Sequence, residues 1–562
     1  MPRTATSAQD AVLSGESSGT LERGLTVVRR LAEAPECRLR PGDLARTTGL
    51  ARATVDRIVT TLVRLGYLRA ESHDVLLAPR LLELGNAYLA SNGLPDAVDA
   101  LALRLADRLD ESVSVCVPDR DGARFVTQIP RRRALAISFR TGDLLPAERC
   151  APGALFAADW GEAGWELWRA RLRSDSDGTG FPALPARRPA RAPGQEADFE
   201  SRVGRARSAG WALDDQLIEP GLLAVSVPVR GRDGSAVCSV SVISHTSRHT
   251  TASLAARALP GLRVCAADME EAIAAPVTGP AAPVVPSAAP STAAYLRATK
   301  DELGPDFLQS LARGLAVLAS LRAPGGLTLS ATAEATGLAR ATARRALLSL
   351  RQQGYVAVSP DGQRFTPLPR VLELGYAAQS RLTFDQIVMP HLIGLVRRVH
   401  DSATVAVLDG DEIRYAARVA ASRIMGVDLG AGTRLPAHAT ALGRVLLAGE
   451  PAARLSQDGP RPYTSRTLTS AAAPTATVEA VRRDGYALVE QELEEGLRSV
   501  AVPVRDRTGR VVAAVSVAAH AAQRSGEALR EEVLPELTRA AADIEADLAA
   551  VTERQPLPPP LS

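Results

Sequence analysis

Apolar residues recur at helical spacing from the start of the chain. Leu21, Leu25, Val28 and Leu31 predict a helix over Leu21–Ala34. Pro41 opens a second, short helix with Asp43 in its first turn, where a fixed φ and a negative charge are both favourable. A longer helix follows over Arg52–Leu65. After Gly66, the runs Tyr67–Arg69 and Val75–Leu77 flank a polar tip and read as the two strands of a wing. Leu81–Leu89 returns to helical spacing. The period then changes: Ser112–Val117 alternates as a strand and continues past Asp119–Gly122 into Phe125 and Val126. Ala224–Arg230 and Ala236–Ser244 are β-rich runs joined by Gly-Arg-Asp-Gly, a hairpin signal, and Thr251–Ala275 reads as helical. The stretch between Trp160 and Ser208, rich in Arg, Pro, Ser and Gly, reads as a looped excursion.

This order of elements occurs twice. Gly-Leu-Ala-Arg-Ala-Thr stands at Gly49–Thr54 and again at Gly337–Thr342. Arg313–Leu315 repeats Arg23–Leu25, Pro369–Gly375 matches Pro79–Gly85, Ser402–Val407 matches Ser112–Val117, and Val500–Arg505 matches Val225–Arg230. The shift is 288 to 290 residues over the first half of each unit and 275 over the second. A whole two-domain protein is duplicated in tandem. The expected boundaries are a disordered tail over 1–20, a first winged helix-turn-helix over 21–80 and a first domain of mixed strands and helices over 81–275. An Ala- and Pro-rich linker over 276–304 is followed by a second winged helix-turn-helix over 305–370, a second mixed domain over 371–551 and a Pro-rich tail over 552–562. The expected fold class is α+β.

In the second copy, Ser330 is expected to cap the run Ala331–Ala335, and Gly337 to make the left-handed link to the next helix. That helix carries Ala343, Ala346, Leu347 and Leu350 on one side and Arg340, Arg344 and Arg351 on another. A helix, a tight turn and an arginine-faced helix are the parts that lay a recognition helix into the DNA major groove. Overall charge does not make that argument, because the chain of 562 residues carries only +3. Local charge does. Asp306–Arg370 holds eight arginines against three acids, and Leu21–Arg80 holds eleven against seven. Basic charge is concentrated where the hairpins lie, as a phosphate-contacting surface requires.

With 46% hydrophobic residues the chain has enough apolar side chains for real cores, and no apolar run is long enough to span a bilayer. The first twenty residues hold no apolar stretch of the kind a signal peptide needs. The five cysteines, Cys37, Cys116, Cys150, Cys238 and Cys265, show no paired spacing, which points to reduced thiols in a cytoplasm. No metal-ligand spacing, nucleophile elbow or phosphate loop is present, so neither an enzyme nor a bound cofactor is expected.

The chain resembles two fused members of the IclR family of bacterial transcription regulators. The resemblance rests above all on Gly432–Arg444 and on Gly485–Arg498 running into Val500–Arg505. It implies a winged helix-turn-helix followed by a GAF-like α/β effector-binding domain in each unit. With Arg423–Met425 upstream, the wording is most similar to the subgroup controlling protocatechuate, p-hydroxybenzoate and β-ketoadipate catabolism. The partners implied are double-stranded operator DNA and a small organic-acid or aromatic effector, with self-association possible and no membrane. Arg340, Thr342, Arg344, Arg345 and Arg351 would face DNA, and in the first copy Arg52, Thr54 and Arg57. Asp56 stands where the second copy has Arg344, so the two heads should read different half-sites or the first should bind more weakly. Wing residues Arg69 and Arg364 are lesser candidates.

For the effector, Arg423, His438, Glu490, Glu492, Arg498, Ser499 and Ser516 are the candidates, since an arginine with hydroxyls suits a carboxylate. The first copy departs there: Glu148, Ala154, Leu217 and Leu223 replace His438, Arg444, Glu492 and Arg498. Its sensor domain is therefore expected to be a structural partner or to take a more apolar ligand. The alternative function is a small-molecule sensor or enzyme of the GAF-like fold with no direct DNA role.

Overall fold

The computed structural model describes residues 18–94, 96–131, 139–175, 181, 183, 195–275, 292–380, 382–421, 429–451, 461–470 and 472–553. The chain divides into two compact units, Met1–Ser380 and Arg381–Ser562.

The first unit opens with a winged helix-turn-helix. Helix α1 (Ser18–Ala32) buries Leu21, Leu25, Val28 and Leu31, the residues whose spacing predicts it. Strand β1 (Arg38–Leu39) leads to α2 (Pro41–Thr48), which ends at Gly49 with φ 69°. That left-handed turn costs a glycine little and sets α3 (Arg52–Arg64) across α2. Strands β2 (Leu68–Glu71) and β3 (Asp74–Leu77) close a three-stranded wing in the order β1-β3-β2. Helix α4 (Leu82–Ser91) leads out of it.

A sensor module follows. Helix α5 (Asp96–Leu109) precedes β4 (Ser112–Asp119), β5 (Gly122–Ile129) and β6 (Leu144–Pro146). Three helices come next, α6 (Ala151–Ala157), α7 (Glu162–Ser174) and α8 (Gln195–Ala209). The module ends with β7 (Ala212–Asp215), β8 (Leu222–Arg230), β9 (Ala236–His245) and α9 (Thr251–Ala274). The antiparallel sheet runs β6-β5-β4-β9-β8-β7. Helices α7 and α8 lie within the stretch expected to loop out. They form because Trp168 and Phe199 bury against each other, with ring centroids 4.9 Å apart, a contact between segments too distant in sequence for local pattern to show.

Helix α10 (Thr292–Leu303) occupies part of the expected linker. It is held against the first head: Tyr295 Oη donates to the Arg64 carbonyl at 3.1 Å, and Glu302 pairs with Arg64. Residues 276–291 lie outside the described residues, as do residues 1–17 and 554–562 of the two expected tails.

The second head repeats the first with α11 (Gln309–Ser320), β10 (Leu327–Thr328), α12 (Leu329–Thr336), α13 (Arg340–Gln352), β11 (Val356–Val358) and β12 (Arg364–Pro367). Thr328, not Ser330, caps α12, accepting from the Ala331 N–H at 3.2 Å, because the helix starts one residue ahead of Ser330. The two heads pack on each other with pseudo-twofold reciprocity. A side chain on Gly24 would overlap Leu311, and one on Gly314 would overlap Leu21, the repeat counterparts of each other. Beyond the heads the symmetry fails: α4 is continuous, whereas its counterpart breaks at Gly375 (φ 101°) into a 3-10 turn over Pro369–Glu373 and α14 (Tyr376–Gln379).

The second unit is a sensor module of the same plan. Helix α15 (Phe384–Val399), begun by a capping box at Thr383, precedes β13 (Ser402–Asp409), β14 (Glu412–Val419) and β15 (Arg434–Pro436). Helices α16 (Ala441–Ala448) and α17 (Ala473–Asp484) lead to β16 (Ala487–Glu490), β17 (Leu497–Arg505) and β18 (Val511–His520). A C-terminal helix, Leu534–Thr552, packs on α15. The sheet runs β15-β14-β13-β18-β17-β16, the order of the first sensor.

Candidate functional site

Two surfaces carry chemistry. On the heads, α13 buries Ala343, Ala346, Leu347 and Leu350 and leaves Arg340, Arg344, Arg345 and Arg351 exposed. None of these four makes an ion pair among the described residues, and Thr342 sits half-buried in the first turn. The matching helix is electrostatically quieter. In α3, Arg52 pairs with Asp56 at 3.0 Å, and Arg57 donates to the Pro305 carbonyl. Thr54 is half-buried. Elsewhere on the first head, Arg38 and Arg40 pair with Asp74 and Arg46 with Asp43. In the wing of the second, Arg364 donates to the Gly326 carbonyl at 3.1 Å. The arginine face of α13 therefore keeps its donors for an outside anion, whereas much of α3's positive charge is met from within.

The second sensor holds a cavity of about 210 Å³. Strand register builds its wall. Thr404 pairs across β13–β14 with Arg418 and across β13–β18 with Ser516. One row along, Val489, Ser499, Ala518 and Ser402 are neighbours across β16, β17, β18 and β13. Side chains two apart share a face, so both rows point the same way and line the cavity. A bulge between Val405 and Ala406 leaves Ala416 without a partner and resets the alternation in β14. Tyr415 and Arg418, which plain alternation would put on opposite faces, both line the cavity. Leu429 and Leu435 add apolar wall, as does the start of α16, where Thr440 caps the helix at the Gly443 N–H, 3.0 Å away. Arg418 donates to the Leu429 carbonyl. Burial pushes the Tyr415 phenol up from its usual range despite the opposing charge of Arg418, so its hydroxyl keeps its proton. The exposed Glu494 is the carboxylate among the lining residues.

Of the residues expected to meet an effector, Ser499 and Ser516 line this cavity. Arg498 does not. It is paired with Glu490 at 2.8 Å and donates to the carbonyls of Ala521 and Arg524 at 2.9 and 2.6 Å, which fixes the end of β17. Glu492 is buried in an ion pair with Arg444 at 2.5 Å. His438 lies outside the lining, with its Nε2 3.2 Å from the Arg461 carbonyl and its ring 5.8 Å from that of Tyr463. Arg423 falls outside the described residues. Among the described residues the cation lining the cavity is Arg418, which is not one of the expected contacts. No group of potential metal ligands is found among the described residues, and no helix there is long and apolar enough to cross a membrane.

Two helix-turn-helix heads on one chain, each followed by an α/β sensor module, define a DNA-binding regulator of duplicated architecture. A model of the IclR helix-turn-helix domain matches residues 20–72 and 310–360, and one of the bacterial transcriptional regulator IclR C-terminal domain matches 191–271 and 376–546. The chain belongs to the IclR family of transcriptional regulators, in tandem form. It is 41% identical over 217 residues to the Pca regulon regulatory protein of Pseudomonas putida, a match covering 38% of this chain and 74% of that one. It is 33% identical over 219 residues to the Pca operon regulatory protein of Acinetobacter baylyi, covering 37% and 78%. Among solved structures, a transcriptional regulator from Rhodococcus sp. RHA1 is 48% identical over 44% of this chain and 99% of that one, with a TM-score of 0.39.

Proposed function

We propose that this regulator grips operator DNA with both heads, chiefly through α13, and that a small aromatic carboxylic acid in the second sensor's cavity changes that grip. The observation that carries the reading is the wall just described: a guanidinium, a protonated phenol and several hydroxyls set among apolar side chains around a cavity of about 210 Å³, with the Glu494 carboxylate at its exposed side. Arginine's forked donors match a carboxylate, the hydroxyls match ring substituents, and the apolar walls match the ring itself. Relatives named for Pca regulation support an acid from aromatic catabolism, such as protocatechuate or p-hydroxybenzoate, as the effector. Arg340, Thr342, Arg344, Arg345 and Arg351 make the DNA contacts of the second head; Arg52, Thr54 and Arg57 contribute less in the first. Linkage makes the effect reciprocal: whatever factor the acid applies to DNA affinity, DNA applies to the acid's. Calorimetry of the full chain against protocatechuate and p-hydroxybenzoate, with Arg418→Ala as the control, tests the cavity. Binding to the wild type that the substitution leaves untouched ends the assignment.

A further inference from the structure

The two sensor sheets share one strand order and one bulge position, so each lining residue of the second cavity has a counterpart in the first. In the first sensor, Ser114 stands between Gln128 and Ser241, and Ala224 between Asp214 and Ile243, in the same two rows. What fills the space in front of those rows differs. Where the second sensor has Tyr415, Leu429, Thr440 and Ala518, the first has Phe125, Phe139, Cys150 and Ile243. These four, with Ile218 and Leu222, belong to a single buried cluster. The rings of Phe125 and Phe139 stack with centroids 5.2 Å apart and planes 22° from parallel. Phe139 puts a ring where Leu429 has an isobutyl group, and Ile243 puts a sec-butyl group where Ala518 has a methyl. Part of the polar lining goes with the space, while Ser114 and Ser241 keep the hydroxyls of Thr404 and Ser516, and Asp214 stands in place of Val489. Gln128 replaces Arg418, and its Nε2 is buried with no hydrogen-bond partner among the described residues; Phe125 lacks the phenol, and Ala224 lacks the hydroxyl of Ser499.

We infer that the first sensor's ligand site is permanently filled by its own side chains, Phe139 and Ile243 taking the volume an effector takes in the second, so each chain binds one effector and not two. The first sensor is then the fixed half of the pair, and the second alone responds. The effector count rests on the function proposed above; the filling of the site does not.

The test uses the full chain and two probes. Protocatechuate binds the wild type with one equivalent per chain in calorimetry; two equivalents overturn the inference. Benzene tests the packing whether or not protocatechuate binds, because a dry apolar cavity takes it up. In a Leu429→Phe/Ala518→Ile chain, whose second cavity carries the first sensor's fillers, benzene leaves the melting temperature unchanged. Adding Phe139→Ala or Ile243→Ala opens the first site, and a benzene-dependent rise appears. A rise in the filled chain before either truncation means the first sensor is open, and overturns the inference. If protocatechuate fails to bind while benzene behaves as described, the effector reading falls and the filled site stands.

Discussion

Leu311 of the second head fills the space a side chain on Gly24 of the first would need, and the exchange is mutual, since Leu21 crowds Gly314 in the same way. This reciprocity makes the tandem chain a pseudo-dimer in cis, with the second head always at high effective concentration. Alanine in a helix interior ordinarily gains about 1 kcal/mol over glycine. Here the new methyl group meets a fully buried leucine, and overpacking of that kind costs about 1–3 kcal/mol. Gly24→Ala should therefore lower the melting temperature and weaken DNA binding in the intact chain. Placed in a Leu311→Ala background, the same substitution should become neutral or stabilising. A double-mutant cycle by thermal melting reads the reversal.

The two recognition helices should contribute unequally to DNA binding. Each phosphate neutralised adds about 0.9 to the magnitude of the slope of log K against log salt. Arg344→Ala, which removes an exposed cation without an ion pair among the described residues, should flatten that slope by about one contact. Arg52→Ala should flatten it less, because Asp56 already holds the guanidinium. Binding isotherms between low and moderate salt, on duplex from directly upstream of the protein's own coding sequence, measure both.

Arg418 and Arg498 should separate binding from stability. Arg418→Met gives up a bond to the Leu429 carbonyl, and is expected to lower the melting temperature less than Arg498→Met while weakening acid binding about tenfold or more. Arg498→Met removes an ion pair and two bonds to backbone carbonyls, with charge-assisted bonds worth about 1.5–3 kcal/mol each. It should lower the melting temperature of the second sensor while the residual folded protein binds acid with little change. Calorimetry paired with thermal melting distinguishes the two patterns.

Asp214, buried where the second sensor has Val489, makes the first sensor most stable in acid. Burial raises its carboxyl to about 7, against the lowering effect of its bond from the Leu217 N–H. The folded state thus holds a proton that the unfolded chain releases near pH 4, so stability declines as pH rises from about 4 to 7 and is level above. Asp214→Val should remove that decline and raise the melting temperature more at pH 8 than at pH 5.

Much of this was legible in the sequence, and the rest failed for identifiable reasons. The heads could be read because Leu21 to Leu31 and Ala343 to Leu350 bury through short-range period alone. The helices α7 and α8 could not, because Trp168 and Phe199 support each other across a long excursion of polar and proline-rich chain. Arg418 lies past the bulge at Ala416, so simple alternation counted from Tyr415 puts it on the opposite face, and the pairing of the sheet brings both to the cavity. Arg498 drew notice for its chemistry, yet the carbonyls of Ala521 and Arg524 lie within its reach and take its donors. The stacking of Phe125 on Phe139 is a contact between a strand and a separate loop segment, which local pattern does not show.

The most direct measurement is the affinity of the full chain for duplex from directly upstream of its own coding sequence, at low salt, with and without protocatechuate or p-hydroxybenzoate. The account predicts tight, salt-sensitive binding that one of these acids shifts severalfold in the wild type and leaves unshifted in Arg418→Met. Duplex binding that is absent at low salt, or that shifts equally in both proteins, would contradict it.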